Sequence, residues 1–109
     1  MSHTYEQIKQ VALDILAGRE KVHFEPSQYT YLRHGVAEVL NRREHPEQLS
    51  RSIFPTQLQL SNEDSDLFRE VFWDLFLDRI IVIGRDTANE EFPWFRVRSS
   101  AIDKLKAAG

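Results

Sequence analysis

Apolar positions along this chain recur at a helical step in some stretches and alternate in others. Tyr5, Ile8, Ala12, Ile15 and Leu16 share one face of a helix predicted over 5–17. Thr4, with Gln7 three residues on, has the form of a capping box, and Gly18 is a suitable stop. Val22-His23-Phe24 alternates apolar, polar, apolar and predicts a short strand. Pro26-Ser27 opens a second helix over 28–43, its apolar face made of Tyr29, Leu32, Val36, Val39 and Leu40. Gly35 within it predicts a close approach by a neighbouring element, and His45-Pro46 ends it. Between 44 and 61, Leu49, Ile53, Phe54, Leu58 and Leu60 keep no clean period and Pro55 interrupts any helix. A packed connection with one helical turn is predicted there.

Ser61 to Asp66 carries capping residues and first-turn carboxylates, the chemistry of a helix start. The third helix, 63–78, is the strongest element. Leu67, Phe68, Val71, Phe72, Leu75 and Phe76 cover roughly half its circumference. Ile80-Ile81-Val82-Ile83-Gly84 reads as a buried strand. Arg85 to Glu91 is a polar loop, and Phe92 to Arg98 is the returning strand with Phe95 and Val97 on one face. Ser99 or Ser100 caps a last helix through Lys106, with Ala101, Ile102 and Leu105 inward. The predicted fold is a single α+β domain over 1–109: a three-helix core, a C-terminal β-hairpin and a closing helix.

From Leu67 to Leu105 this order resembles the second half of a winged helix-turn-helix domain. Leu77-Asp78-Arg79-Ile80-Ile81-Val82 resembles the passage from helix to first wing strand, and Val97-Arg98-Ser99-Ser100 with Leu105 resembles the exit from the wing. The 44–61 segment is longer than the compact junction of that family. The resemblance implies DNA binding, with the third helix in the major groove and the wing on the backbone or minor groove. Domains of this family also serve as dimer or assembly modules.

Composition narrows the function. The 109 residues suffice for one ordinary core, and 41% hydrophobic with 28% charged residues is globular usage. The absence of cysteine removes disulfides, thiolate zinc sites and a cysteine nucleophile. No apolar run approaches the ~18 residues that span a bilayer. The first residues lack the features of a secretory signal, so the expected location is cytoplasmic. Gly18, Gly35, Gly84 and Gly109 build no phosphate-binding loop. His3, His23, His34 and His45 have no metal-ligand spacing. Asp74 and Asp78 stand one turn apart, a spacing that suits a hard cation but more often marks solvated acids. The chain therefore reads as non-catalytic, with no cofactor and no metal.

Charge separates along the chain. Residues 46–78 hold two Lys/Arg against seven Asp/Glu, whereas residues 79–109 hold six against four. On the third helix Glu70, Asp74 and Asp78 form an acidic stripe beside the apolar face, which repels phosphate and disfavours DNA there. Trp73 and Leu77, four apart, fall outside the main apolar face and among Asp66, Arg69 and Glu70. They predict a protein-binding surface centred on Trp73 and Leu77 with Glu70 and Asp74 as its rim, meeting a protein partner or a second copy. The plainer alternative is that the first helix or the 44–61 segment covers Trp73. For nucleic acid the candidates are Arg85, Trp94, Arg96 and Arg98 of the wing. Phe92 is expected on the same strand face, with Arg33, Arg42, Arg43 and Arg51 available to extend the surface. There the plainer alternative is solvent-facing arginines and a packed Trp94. The leading expectation is an interaction or assembly module, as a subunit of a regulatory or nucleic-acid-associated complex. The alternative is a DNA-binding transcriptional regulator working through its wing.

Overall fold

A computed structural model describes residues 3–45 and 59–107. Three helices are followed by a hairpin and a closing helix. They are α1 (Tyr5–Leu16), α2 (Tyr29–Glu44), α3 (Asn62–Leu77), β1 (Ile81–Ile83), β2 (Phe95–Val97) and α4 (Ile102–Ala107). The predicted connection between α2 and α3 falls on 46–58, outside the described residues, as does Arg51.

The helix boundaries follow local chemistry. Thr4 Oγ1 accepts from Gln7 N–H at 3.1 Å while Thr4 N–H donates to Gln7 Oε1 at 2.8 Å, a complete capping box. Ser61 Oγ caps α3 by accepting from Asp64 N–H at 3.1 Å. At the end of α1, Gly18 has φ +81°, Gly18 N–H reaches Ile15 O at 3.1 Å and Arg19 N–H reaches Asp14 O at 2.9 Å. α3 ends in the same paired pattern, from Arg79 N–H to Phe76 O at 3.2 Å and from Ile80 N–H to Leu75 O at 2.9 Å. There the left-handed position, φ +62°, is filled by Arg79 and not by glycine.

Ile8, Val11 and Ile15 of α1, Leu32, Val36 and Val39 of α2, and Phe68, Val71, Phe72 and Leu75 of α3 meet in one core. Gly35 permits the close approach of α1 and the segment after it. A Cβ there would lie 3.3 Å from both Ile15 Cδ1 and Val22 Cγ1. The hairpin is antiparallel, with Ile81 opposite Val97, Val82 opposite Arg96 and Ile83 opposite Phe95. Ile81 and Phe95 are buried, and the Phe95 ring meets Phe72 edge-on at 5.3 Å.

Several expectations are corrected. Val22–Phe24 is not a strand. His23 N–H donates to the Glu38 side chain at 3.0 Å, and Phe24 stacks on Tyr31 at 5.3 Å. The segment beside β2 is instead Ser27–Tyr29, where Phe95 N–H reaches Ser27 O at 3.1 Å and Tyr29 N–H reaches Pro93 O at 3.0 Å. The returning strand starts at Phe95 and not at Phe92. Pro93 has no N–H to give a ladder. Neither Ser99 nor Ser100 caps α4. Both lie in a 3₁₀ turn, Ser99–Ala101, that leads directly into it. Ile102 points outward, because that turn shifts the buried positions to Ala101 and Leu105. Among the described residues no helix is long and apolar enough to cross a membrane.

Candidate protein-binding surface

α3 has more apolar residues than one buried face can hold. Phe68, Val71, Phe72 and Leu75 take the inward positions, leaving Trp73, Phe76 and Leu77 outside. Trp73 is 40% exposed and Leu77 71%. Phe76, expected in the core, is 38% exposed, because Leu75 already fills the inward position at that level of α3. The predicted second apolar stripe is therefore present, and it is wider by one aromatic residue.

Phe92 widens it again. It does not join the arginine face of the hairpin. Its ring turns to α3, stacks on Trp73 at 5.7 Å with 18° between planes, and is half exposed, at 50%. Phe72 meets Trp73 edge-on at 5.3 Å, and Phe76 meets it edge-on at 6.0 Å. Trp73 is thus held between rings from below and from the side. An aromatic side chain fixed in this way loses little conformational freedom on binding. In the sequence Phe92 continues the alternation of the returning strand; the clue that the ladder stops short of it is Pro93, which has no N–H to give.

The rim is acidic. Glu70 is exposed and has no ion pair among the described residues. Asp74 is half-buried and accepts a hydrogen bond from Tyr5 Oη, so it also joins α3 to the start of α1. Burial, reinforced by Asp74, pushes the Tyr5 phenol up to about 12. Asp78 lies 4.0 Å from Lys9 Nζ.

The hairpin arginines divide. Arg85 donates to Glu25 Oε1 at 2.5 Å and to Phe95 O at 3.3 Å. Arg96 is exposed and, among the described residues, reaches only the Val97 carbonyl, at 3.3 Å. Arg85 and Arg96 line a groove of about 340 Å³ with Lys106 of α4. Arg98 is half-buried, and its Nε lacks a hydrogen-bond partner among the described residues. Trp94 is also half-buried, and its carbonyl accepts from Gly84 N–H at 2.7 Å. Arg42 and Arg43 do not extend this surface. Arg42 binds Glu20 and Glu38, and Arg43 binds Glu20 and Asp14. Arg33 lies over the Tyr29 ring at 5.9 Å. Carboxylate partners thus hold Arg42 and Arg43 on α2, whereas Arg33 sits over a residue whose own N–H bonds Pro93 O beside the hairpin.

One polar cluster had no signature in the sequence. His3 Nδ1 is 2.6 Å from Asp64 Oδ2, His3 Nε2 is 3.0 Å from Glu44 Oε1, and His3 N–H donates to Asp64 Oδ1 at 2.8 Å. Asp64 is only 2% exposed. Its hydrogen bond is the main cause that raises the His3 pKa above the ordinary 6.5. The partners are 41 and 61 positions away in the chain, so no local spacing reveals them. Among the described residues no group of His, Asp and Glu side chains is arranged to hold a metal ion. Comparison with protein-family models, with curated proteins and with solved structures finds no match to this chain.

Proposed function

We propose that this domain is a non-catalytic protein-interaction module whose contact surface is the outer face of α3. The observation that carries the reading is the exposed, ring-stacked group of Trp73, Phe76 and Phe92 with Leu77 beside it. Contiguous exposed apolar groups of this kind mark association sites on small soluble domains, and tryptophan is a favoured anchor. Glu70, Asp74 and Asp78 supply little affinity of their own. Their charge selects a partner with a basic border and repels an acidic one.

The test is affinity capture with the wild-type chain and with Leu77→Glu as paired baits. Leu77 is so exposed that the variant keeps the wild-type melting temperature within a few degrees. Proteins retained by the wild type and lost from the variant support the reading. Equal capture by both overturns it. Trp73→Ala gives a second check: unfolding would place Trp73 in the core and remove it from the interface.

A second reading retains DNA. The element order is compatible with a winged helix, and Arg96 is an exposed hairpin cation without a carboxylate partner among the described residues. It requires binding to mixed-sequence duplex that weakens steeply with salt and is lost in Arg96→Ala with Arg98→Ala. The acidic α3 weighs against it.

A further inference from the structure

We infer that the partner of the α3 surface is the basic groove of a second copy, so that the chain associates head to tail. This rests on the proposed interaction role of α3 and names its occupant.

The two surfaces are complementary in both apolar character and charge. One is the aromatic group around Trp73, with Leu77 projecting beside it and Glu70 and Asp78 at its edge. The other is the groove of about 340 Å³ lined by Leu16, Val97 and Leu105, with Arg85, Arg96 and Lys106 among its polar groups. Among the described residues Glu25 is the single carboxylate lining it, and it is already engaged by Arg85. Arg96 and Lys106 have no carboxylate partner among the described residues. An apolar knob bordered by acids fits an apolar groove bordered by unpaired cations.

The surfaces are also set apart along α1. Tyr5, at the start of α1, bonds Asp74 beside Trp73, and Leu16, at the end of α1, lines the groove. Eleven helical steps separate them, about 16 Å along the axis. A knob and its matching groove set apart on one body make a heterologous contact, which extends from copy to copy. The competing two-fold dimer through Trp73 would bury the aromatic group but leave Arg96 and Lys106 of the groove without an acidic partner.

The experiment is sedimentation velocity at low ionic strength on the wild type and on two variants that each spoil one surface. Leu77→Glu removes the knob and keeps the groove. Arg96→Glu with Lys106→Glu reverses the groove and keeps the knob. All three altered positions are exposed, and unchanged melting temperatures confirm that the variants fold. The wild type is expected to sediment faster as concentration rises, past the dimer, and to lose this at high salt. Each variant alone is expected to be a monomer, with association weakened at least tenfold. Their mixture is expected to give a dimer and nothing larger, because one intact knob meets one intact groove. A wild-type monomer at millimolar concentration overturns the inference. So does a discrete dimer that persists in the groove variant, which would be the two-fold form, and so does a mixture that stays monomeric. A monomeric wild type that still captures proteins through Leu77 would remove self-association alone and leave the interaction role standing.

Discussion

His3 places each ring nitrogen within hydrogen-bond distance of a carboxylate, from Asp64 of α3 on one side and Glu44 of α2 on the other. Ionised carboxylates only accept, so both contacts are satisfied together only when the ring carries two protons. The pKa of His3 is raised from 6.5, so its contribution is complete below that value and is lost as pH rises through the raised folded value. The pKa of Asp64 is lowered from 3.8: burial pushes it up, but the His3 hydrogen bonds outweigh that. Its contribution is complete above 3.8 and lost as pH falls through the lowered folded value. The cluster therefore stabilises the fold most between 3.8 and 6.5. A melting-temperature series against pH should decline above this window in the wild type. In His3→Gln the decline should flatten, with a loss of about 1–3 kcal/mol inside the window from the weakened bonding of a buried acceptor. An unchanged profile in the variant would show that the ring contacts contribute nothing.

At the scale of the element, α1 and α3 end alike but with different residues at the left-handed position. Gly18 adopts φ +81° freely, whereas Arg79 at φ +62° bears the cost of its Cβ. Arg79 is exposed and makes no side-chain ion pair among the described residues. Arg79→Gly should therefore stabilise the domain, by about 0.5–1 kcal/mol after the added freedom of the unfolded chain is subtracted. Urea unfolding measures this, and a destabilised variant would mean that the arginine side chain contributes more than the strain removes. The elements most legible in the sequence were those whose signals are local. Thr4 with Gln7, Ser61 and the inward positions of α3 are set by contacts three or four residues apart. Phe76, Ile102 and Phe92 were misplaced because each was assigned by extending a period past the point where a neighbouring element changes it. Trp73 and Leu77 stood out for the opposite reason, as apolar residues on the wrong side of a well-defined face. Val22–Phe24 has a strand's alternation, but the strand-like contact with β2 belongs to Ser27–Tyr29, and a three-residue pattern cannot choose between them.

Across the whole molecule, the charge separation seen along the sequence becomes a separation in space. The acidic stripe of α3 borders the aromatic surface, and the cations Arg85, Arg96 and Lys106 gather where the hairpin meets α4. Asp14, Arg19, Glu20, Glu38, Arg42 and Arg43 form a third group, with three charges of each sign. In it burial pushes Asp14 up, but hydrogen bonds from Arg19, Gln10 and Arg43 outweigh it and hold the carboxyl below the usual range, and Arg43 followed by Arg42 lowers Glu20 against the effect of burial. That group neutralises itself, which is why Arg42 and Arg43 are not available to the hairpin. The contacts made by the first turn have one further consequence, in time. His3 reaches Asp64 across 61 positions, and Tyr5 reaches Asp74 across 69. Closing loops of that length comes at a late stage, when α3 is already in place. Interactions absent from the transition state set the rate of leaving the native state and not the rate of reaching it. Stopped-flow kinetics on His3→Gln should accordingly show faster unfolding with nearly unchanged refolding, and a slowed refolding limb would instead place the start of the chain in the folding nucleus. On this account residues at the very beginning of the chain act as a latch: the domain assembles without them and persists longer because of them.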